Sequence, residues 1–188
     1  MSSTLRIGLA LACVSTVAHA GPRDLDEWFP HLRAGMWVRV EGEMQAAELH
    51  ASEIKILDGE LDESELSSQV TDVDLLQMTL TTRLGVRVVA TQNSDIDQKK
   101  SGRDVGFAYI EVDDGVEVEG QLQKDGTLLA EEMEVTRPTQ APSDSTEMRE
   151  QEMTARIEAV DPKQYRITLL GVQVVLSEKT KNKTPFLD

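Results

Sequence analysis

Gly115-Val116-Glu117-Val118-Glu119-Gly120-Gln121-Leu122, followed by Leu128-Leu129-Ala130-Glu131-Glu132-Met133-Glu134-Val135, decides how the chain folds, because it occurs twice. The earlier copy runs Gly35-Met36-Trp37-Val38-Arg39-Val40-Glu41-Gly42-Glu43-Met44, then Leu49-His50-Ala51-Ser52-Glu53-Ile54-Lys55-Ile56. In each, valines alternate with charged residues, the period of a strand with one dry and one wet face. Gly42 and Gly120 end each run, where a bend or a close backbone leaves no room for a side chain. Lys124-Asp125-Gly126 supplies the turn of the second copy, since glycine accepts positive φ without strain. The alternation slips in both copies after an alanine, Ala51 or Ala130, which predicts a β-bulge at the same place in each hairpin.

Outward from the hairpins lies a second unit, also present twice. Val73-Asp74, Gln77-Met78-Thr79-Leu80-Thr81 and Leu84-Gly85-Val86-Arg87-Val88-Val89 match Val160-Asp161, Gln164-Tyr165-Arg166-Ile167-Thr168 and Leu170-Gly171-Val172-Gln173-Val174-Val175. Each copy predicts three short strands with tight turns. Asp74 and Asp161 are expected to open turns by accepting backbone N–H groups, a structural role rather than a catalytic one. Gly85 and Gly171 mark the next turn.

The order is hairpin, triple strand, hairpin, triple strand. One triple strand followed by one hairpin gives five strands, the count of an OB-type barrel. The expected fold is therefore all-β, with two small OB-like antiparallel β-barrels. Residues 66–136 form the continuous one, with 92–109 as the loop or short helix between its third and fourth strands. An isolated hairpin is marginal in water. The N-terminal hairpin (35–57) is thus expected to close a second, discontinuous barrel with the C-terminal three-stranded unit (153–180). A single continuous sheet is the competing arrangement. Residues 137–151, with Pro138, Pro142, Ser143 and Ser145, read as a flexible linker.

At the N-terminus Arg6 precedes an apolar run, Ile7 to Ala18, and Ala18-His19-Ala20 offers small residues to a signal peptidase. Residues 1–20 are expected to be a signal peptide cleaved after Ala20, placing the mature protein in the periplasm or outside the cell. The run is too short for a permanent span, so no integral membrane segment is expected. A lipid anchor on Cys13 is the competing reading, and Ala10-Leu11-Ala12-Cys13 fits it poorly. Residues 22–34, with Leu25, Trp28, Phe29 and Leu32, are expected to be a packed N-terminal lead-in; a short amphipathic turn or helix that plugs one end of a barrel is the competing reading.

The chain carries 19 basic and 34 acidic residues, a formal charge of −15. Without residues 1–20 the basic count is 18 against 34 acidic, or −16. That sign repels phosphate backbones, and aromatic residues make up only 4%, so a nucleic-acid partner is not expected. The one cysteine leaves with the signal, which removes disulfides, thiol nucleophiles and thiolate metal sites. His31 and His50 stand in no metal-ligand spacing. The acidic connector Asp58 to Glu65 and the pair Asp95, Asp97 match no calcium loop, and Lys99 sits where a further acidic ligand would be needed. Lys179, Lys181 and Lys183 read as a solvated basic end. No nucleophile elbow or glycine-rich phosphate loop is present. Neither an enzyme nor a cofactor is expected.

The Val-Asp start, the Leu-Gly-Val-x-Val-Val strand and the Gly-x-x-Val-x-Val-Glu-Gly hairpin with its following Ala-x-Glu-Ile resemble a bacterial domain-of-unknown-function family, number 5666. The resemblance covers most of residues 35–180. It implies small, often tandem β-barrel modules in exported proteins, and it carries no catalytic residues over to this chain. The beginning and end on half-modules depart from the usual tandem order.

The functional expectation is a non-enzymatic interaction module that docks on an envelope protein. Divalent-cation binding and oligosaccharide binding are the alternatives. Trp37 is the candidate contact for a partner or ligand, because its strand parity is opposite to that of Val38 and Val40. Packing against Trp28 and Phe29 is the competing role for that indole.

Overall fold

The computed structural model describes residues 25–138 and 150–184. The expected signal peptide (1–20) with its cleavage point after Ala20, and most of the expected linker (139–149 of 137–151), lie outside the described residues. The chain opens with a one-turn helix, α1 (Leu25–Trp28), and a 3-10 turn, Phe29–His31. Then come β1 (Trp37–Gln45), β2 (Glu48–Ile56), β3 (Ser64–Asp74), β4 (Thr79–Thr82) and β5 (Arg87–Val89). They are followed by β6 (Asp95–Gln98), β7 (Arg103–Asp104), a 3-10 turn at Phe107–Tyr109, β8 (Gly115–Leu122) and β9 (Leu128–Thr136). Last are β10 (Glu150–Arg156), β11 (Ala159–Asp161), β12 (Arg166–Leu169), β13 (Val172–Val175) and β14 (Lys181–Asn182). The protein is all-β apart from these short turns, and its strands join into one mixed 14-stranded sheet.

Both hairpins form, and each carries the expected bulge. Glu41 pairs with Glu53 and Gly42 with Ala51, leaving Ser52 as the extra residue. Glu119 pairs with Glu132 and Gly120 with Ala130, leaving Glu131 as its counterpart. The bulges explain the glycines. A Cβ on Gly42 would press into the backbone of His50 and lie 2.9 Å from Cα of Ala51. One on Gly120 would press into Leu129 and lie 3.0 Å from Cα of Ala130. The turns are held as the sequence implies. Oδ1 of Asp74 accepts from the amides of Leu76 (2.9 Å) and Gln77 (3.0 Å), and Oδ1 of Asp161 from that of Lys163 (2.9 Å). Gly126 takes φ +84°, and Oδ1 of Asp125 accepts from both N–H and O–H of Thr127.

Pairing between the units sets the architecture. Within residues 64–136, β3 pairs β4, β4 pairs β5, β5 pairs β9, β9 pairs β8, and β8 pairs β3. The N-terminal hairpin pairs with the C-terminal strands: β1 with β10 from Trp37↔Arg156 to Glu43↔Glu150, and β2 with β13 from Glu48↔Gln173 to His50↔Val175. β13 then pairs β12, and β12 pairs β11. The two sets meet where β3 pairs β10 directly, Leu66 facing Met153.

Two expectations need correction. The sheet is mixed, not antiparallel, because β5–β9, β6–β9, β13–β2 and β14–β2 run parallel. Parallel neighbours need a long crossover, and residues 90–127 supply one between β5 and β9. Residues 92–109 are not a plain loop: β6 extends the sheet beyond β9 and pairs β7.

The valines and isoleucines of the dry faces fill one contiguous core. The lead-in packs into it as expected, with Leu25, Trp28, Phe29 and Leu32 all buried. The Phe29 ring meets that of Tyr165 edge-on at 5.2 Å, and the Tyr165 hydroxyl donates to Asp26. Each such large apolar side chain contributes about 1.5–3 kcal/mol through burial.

Gly42→Ala and Gly120→Ala should each lower stability by about 2–3 kcal/mol, read as a fall in the urea midpoint, because the added methyl group must displace backbone. Ala46, exposed in the β1–β2 turn at φ 57°, should respond in the opposite direction. Ala46→Gly should gain up to about 1 kcal/mol, since glycine occupies that region without strain.

Candidate functional site

Cross-strand neighbours share a face, so the register fixes what the wet side of the central strands displays. One row runs Glu53, Glu41, Glu152, Ser67, Glu117, Glu134 and Asp97 across β2, β1, β10, β3, β8, β9 and β6. The adjacent row runs Lys55, Arg39, Thr154, Glu65, Glu119, Glu132 and Asp95 over the same strands. Four cations answer this band of carboxylates, two of them, Lys181 and Lys183, at Glu53, 3.5 and 3.3 Å away. Arg39 reaches Glu65 at 3.3 Å and Glu152 at 3.0 Å, and its Nε donates to Thr154 Oγ1 at 3.2 Å. On the other flank Lys99 pairs with Glu117 and stands 3.9 Å from Glu134.

The imbalance appears in the acids. Burial raises the pKa of Glu152 above its ordinary 4.5; Glu41, Glu65 and Glu117 add to this, and Arg39 opposes it. Burial, then Glu65, Glu132 and Glu134, raise that of Glu119. Asp114, at the foot of β8, is also raised, chiefly by burial, although its Oδ2 accepts from the Glu111 amide at 2.9 Å and Arg137 lies 3.7 Å away. Arg137 closes that corner by stacking 4.3 Å from the Tyr109 ring centre and donating to the Tyr109 carbonyl at 2.8 Å.

A cleft of about 340 Å³ opens beside this band, where β3, β8 and β10 meet the ends of β6 and β9. β3 gives it Ser67, Ser68 and Gln69, and β8 gives Gly115, Val116 and Glu117. Lys99, Lys100 and Thr136 come from the far side, Glu150 and Gln151 from β10. Ser68 donates to Oε1 of Gln151, and both are buried, so the floor of the cleft is a fixed polar contact across the seam. Gln69 is held at the rim: Arg83 donates to its Oε1 at 3.1 Å, and its Nε2 donates to Asp113 at 3.3 Å. A shallower depression of about 190 Å³ continues from Ser67 and Glu117 to Glu65, Glu119 and Glu152. Elsewhere an open apolar hollow of about 440 Å³ lies beside Phe29, Pro30, Leu32 and Val160. At the β3–β4 turn Leu75 and Leu76 are 55% and 98% exposed.

Trp37 is not the open contact that its parity suggests. It lies off the contiguous core, opposite in parity to Val38, yet it is only 6% exposed. Its neighbour across the strands is Arg156, whose guanidinium carbon lies 5.6 Å from the indole centre. Parity reports which face a side chain takes, and a long arginine opposite can still cover it. His31 is exposed and His50 lies on β2 opposite Glu43. Among the described residues no group of three His, Cys, Asp or Glu could hold a metal ion. Among them, too, no helix is long and apolar enough to cross a membrane.

The cleft residues were not singled out from sequence. A signal existed in the repeat itself. Aligning Val38-x-Val40-Glu41-Gly42 with Val116-x-Val118-Glu119-Gly120 sets Gly115 in the place of Trp37.

These features define an all-β protein with a mixed sheet and a polar cleft at the seam of its units. Residues 69–134 match the family model described as Domain of unknown function (DUF5666), so the resemblance to family 5666 holds for that stretch, from the middle of β3 almost to the end of β9. Comparison with curated proteins and comparison with solved structures each gave no match.

The raised acids fix the sign of a pH effect. A carboxyl whose folded pKa exceeds its unfolded value binds protons more tightly when folded, so stability falls as pH rises through the interval between the two values. For Glu119, Glu152 and Asp114 that interval begins at the ordinary 4.5, 4.5 and 3.8 and extends upward. The melting temperature should therefore be higher at pH 5 than at pH 8. Added 0.5 M salt, an ionic strength of roughly that order being enough to screen exposed charges, should raise it more at pH 8. A melting temperature that falls steadily from pH 8 to pH 5 would contradict the assignment.

Proposed function

We propose that this chain is an exported, non-enzymatic binding module of the bacterial envelope that docks on a protein partner through the cleft at its seam. The cleft is the observation that carries the reading. It joins a fixed Ser68–Gln151 floor to a rim of hydroxyl, amide, lysine and carboxylate groups. Preformed concave sites of this kind, with a few convergent polar groups, are the common form of ligand pockets.

Two OB-type barrels made by duplication frame it. The circuit β3, β4, β5, β9, β8, with its one parallel pairing, supports the first, over 66–136. The second uses β10 with β11, then β12, β13, β2 and β1, so its hairpin (35–57) precedes its triple strand (153–180) in the chain. Export follows from the expected signal at residues 1–20, with periplasmic or extracellular residence after cleavage at Ala20. The acidity speaks against nucleic acid as the partner. The two alternatives have less support: sugar stacking on Trp37 meets a covered indole, and cation binding meets no ligand group among the described residues.

A tagged protein spanning 21–188, applied to its native envelope fraction, should retain a partner at stoichiometric yield by mass spectrometry. Ser67→Arg, which fills the cleft from the wet face between Glu117 and Glu152, should lose it. Recovery of the protein alone, or of the same partner with the variant, overturns the reading.

A further inference from the structure

β6 and β14 occupy equivalent places beside the two hairpins. β6 lies parallel to β9, with Asp95↔Glu132 and Ile96↔Met133, and β14 lies parallel to β2, with Lys181↔Glu53 and Asn182↔Ile54. The turns that lead into them are built alike. Ser94 Oγ accepts from the Thr91 amide at 2.9 Å and donates to the Ala130 carbonyl at 2.7 Å. Thr180 Oγ1 accepts from the Ser177 amide at 2.9 Å and donates to the Ala51 carbonyl at 2.8 Å. The segments that enter the hairpins match as well. The Ile110 amide donates to the Phe107 carbonyl at 3.1 Å, and that of Leu32 to Phe29 at 3.0 Å. Next, Asp113 and Gly35, both at positive φ, donate to the carbonyls of Val70 and Ile157 at 2.9 and 2.8 Å.

The link between these parts differs. Beside the β8–β9 hairpin, residues 99–106 run on from β6, and β7 folds back along it. Asp97 pairs with Asp104, Gln98 with Arg103, and the Val105 amide donates to the Ile96 carbonyl at 2.7 Å. Beside the β1–β2 hairpin the two parts are not joined in sequence, since β14 follows β13 and the lead-in stands ahead of β1. β14 has β2 on one side and, among the described residues, no strand on the other. Asn182, in the place of Ile96, holds a buried side-chain Nδ2 with no hydrogen-bond partner among them. An open strand edge offers its N–H and C=O groups to an added strand.

The sequence contains a segment that fits. Arg103-Asp104-Val105, then Gly106-Phe107, stands ahead of β8; Arg23-Asp24-Leu25, then Trp28-Phe29 after the two extra residues Asp26 and Glu27, stands ahead of β1. Leu25 is buried and opens α1, so its amide, like other first-turn N–H groups, has no partner within the helix.

We propose that the free edge of β14 is the docking site of the segment just ahead of α1, Arg23 and Asp24, which adds a short antiparallel strand there as β7 does on β6. Asp24 lies opposite Lys183, Arg23 opposite Thr184, and the Leu25 amide donates to the Asn182 carbonyl. Charge agrees with this register: Lys181 and Lys183 share the carboxylate of Glu53, and Asp24 brings a second one. The segment lies beyond Ala20 and survives the expected cleavage. The C-terminal strand and the N-terminal lead-in thereby meet in one strand pair, and the surroundings of the first hairpin are a circular rearrangement of those of the second.

The 21–188 protein contains no cysteine, so an introduced pair reads the contact. Because Val105 bonds to Ile96, the next pair, Asp97↔Asp104, is of the non-hydrogen-bonded kind, whose Cα atoms are about 4.5 Å apart. Asp24 and Lys183 take the same geometry, within the roughly 4.4–6.8 Å that a disulfide spans. Asp24→Cys with Lys183→Cys should oxidise in air to an intramolecular disulfide, read by intact mass of the monomer. Asp24→Cys with Lys55→Cys, which sets the second cysteine one strand further away, about 9–10 Å from the docked segment, should oxidise at least about tenfold more slowly. In the unsubstituted protein the Hα protons of Asp24 and Lys183 should give a cross-strand NOE. Failure of the first pair to oxidise, equal rates for the two pairs, or absence of that NOE overturns the inference.

Discussion

The pairing of β3 with β10 is the constraint on which the rest depends. Only three residues on each strand take part, Glu65 to Ser67 against Thr154 to Glu152. On the dry side it sets Leu66 against Met153 and makes two apolar clusters one. On the wet side it brings Glu65 and Glu152 onto neighbouring strands, where Arg39 must answer both. At its margin Ser68 meets Gln151 and the cleft opens. Core continuity, acidic strain and the candidate site are thus three results of one short antiparallel contact.

The rule of two explains what was legible. Alternating valines at Val38, Val40, Val116 and Val118 gave the strands and their dry faces, and the slip after Ala51 and Ala130 gave the bulges. Asp74 and Asp161 gave the turns through side-chain chemistry that needs no distant partner. Leu25, Trp28, Phe29 and Leu32 were legible as a packed lead-in because an apolar cluster that dense must be buried.

What was illegible concerns neighbours. Nothing within Arg87-Val88-Val89 states that it will lie parallel to Leu128 and Leu129, because periodicity assigns a face and leaves the adjoining strand open. The β6–β7 pair was hidden for a related reason: Asp95, Asp97, Arg103 and Asp104 carry little apolar signal, and their strand character comes from an edge of β9 that is present only in the fold. The covering of Trp37 depends on Arg156, separated from it in sequence and brought opposite by register. The cleft was hidden in the same way, since its walls come from four strands and the turn after β6. Its one local mark is a difference between repeats, Gly115 where the other copy has Trp37.

The joining of the first hairpin to the last strands also orders events in time. Arg39 hydrogen-bonds to Thr154, 115 positions along the chain, and β1 cannot gain its β10 edge until that later stretch is present. Residues 64–136 hold all the partners of their own circuit and can organise early. The hairpin meanwhile waits with an unpaired edge, the form of strand most prone to join another chain. Loop closure over such a separation is slow relative to local pairing. A chain threaded through a membrane from its N-terminus would expose this hairpin first and satisfy it last. Its charged wet face, with Arg39, Glu41, Glu43 and Lys55, then serves as protection against aggregation during that interval as much as a surface of the finished protein.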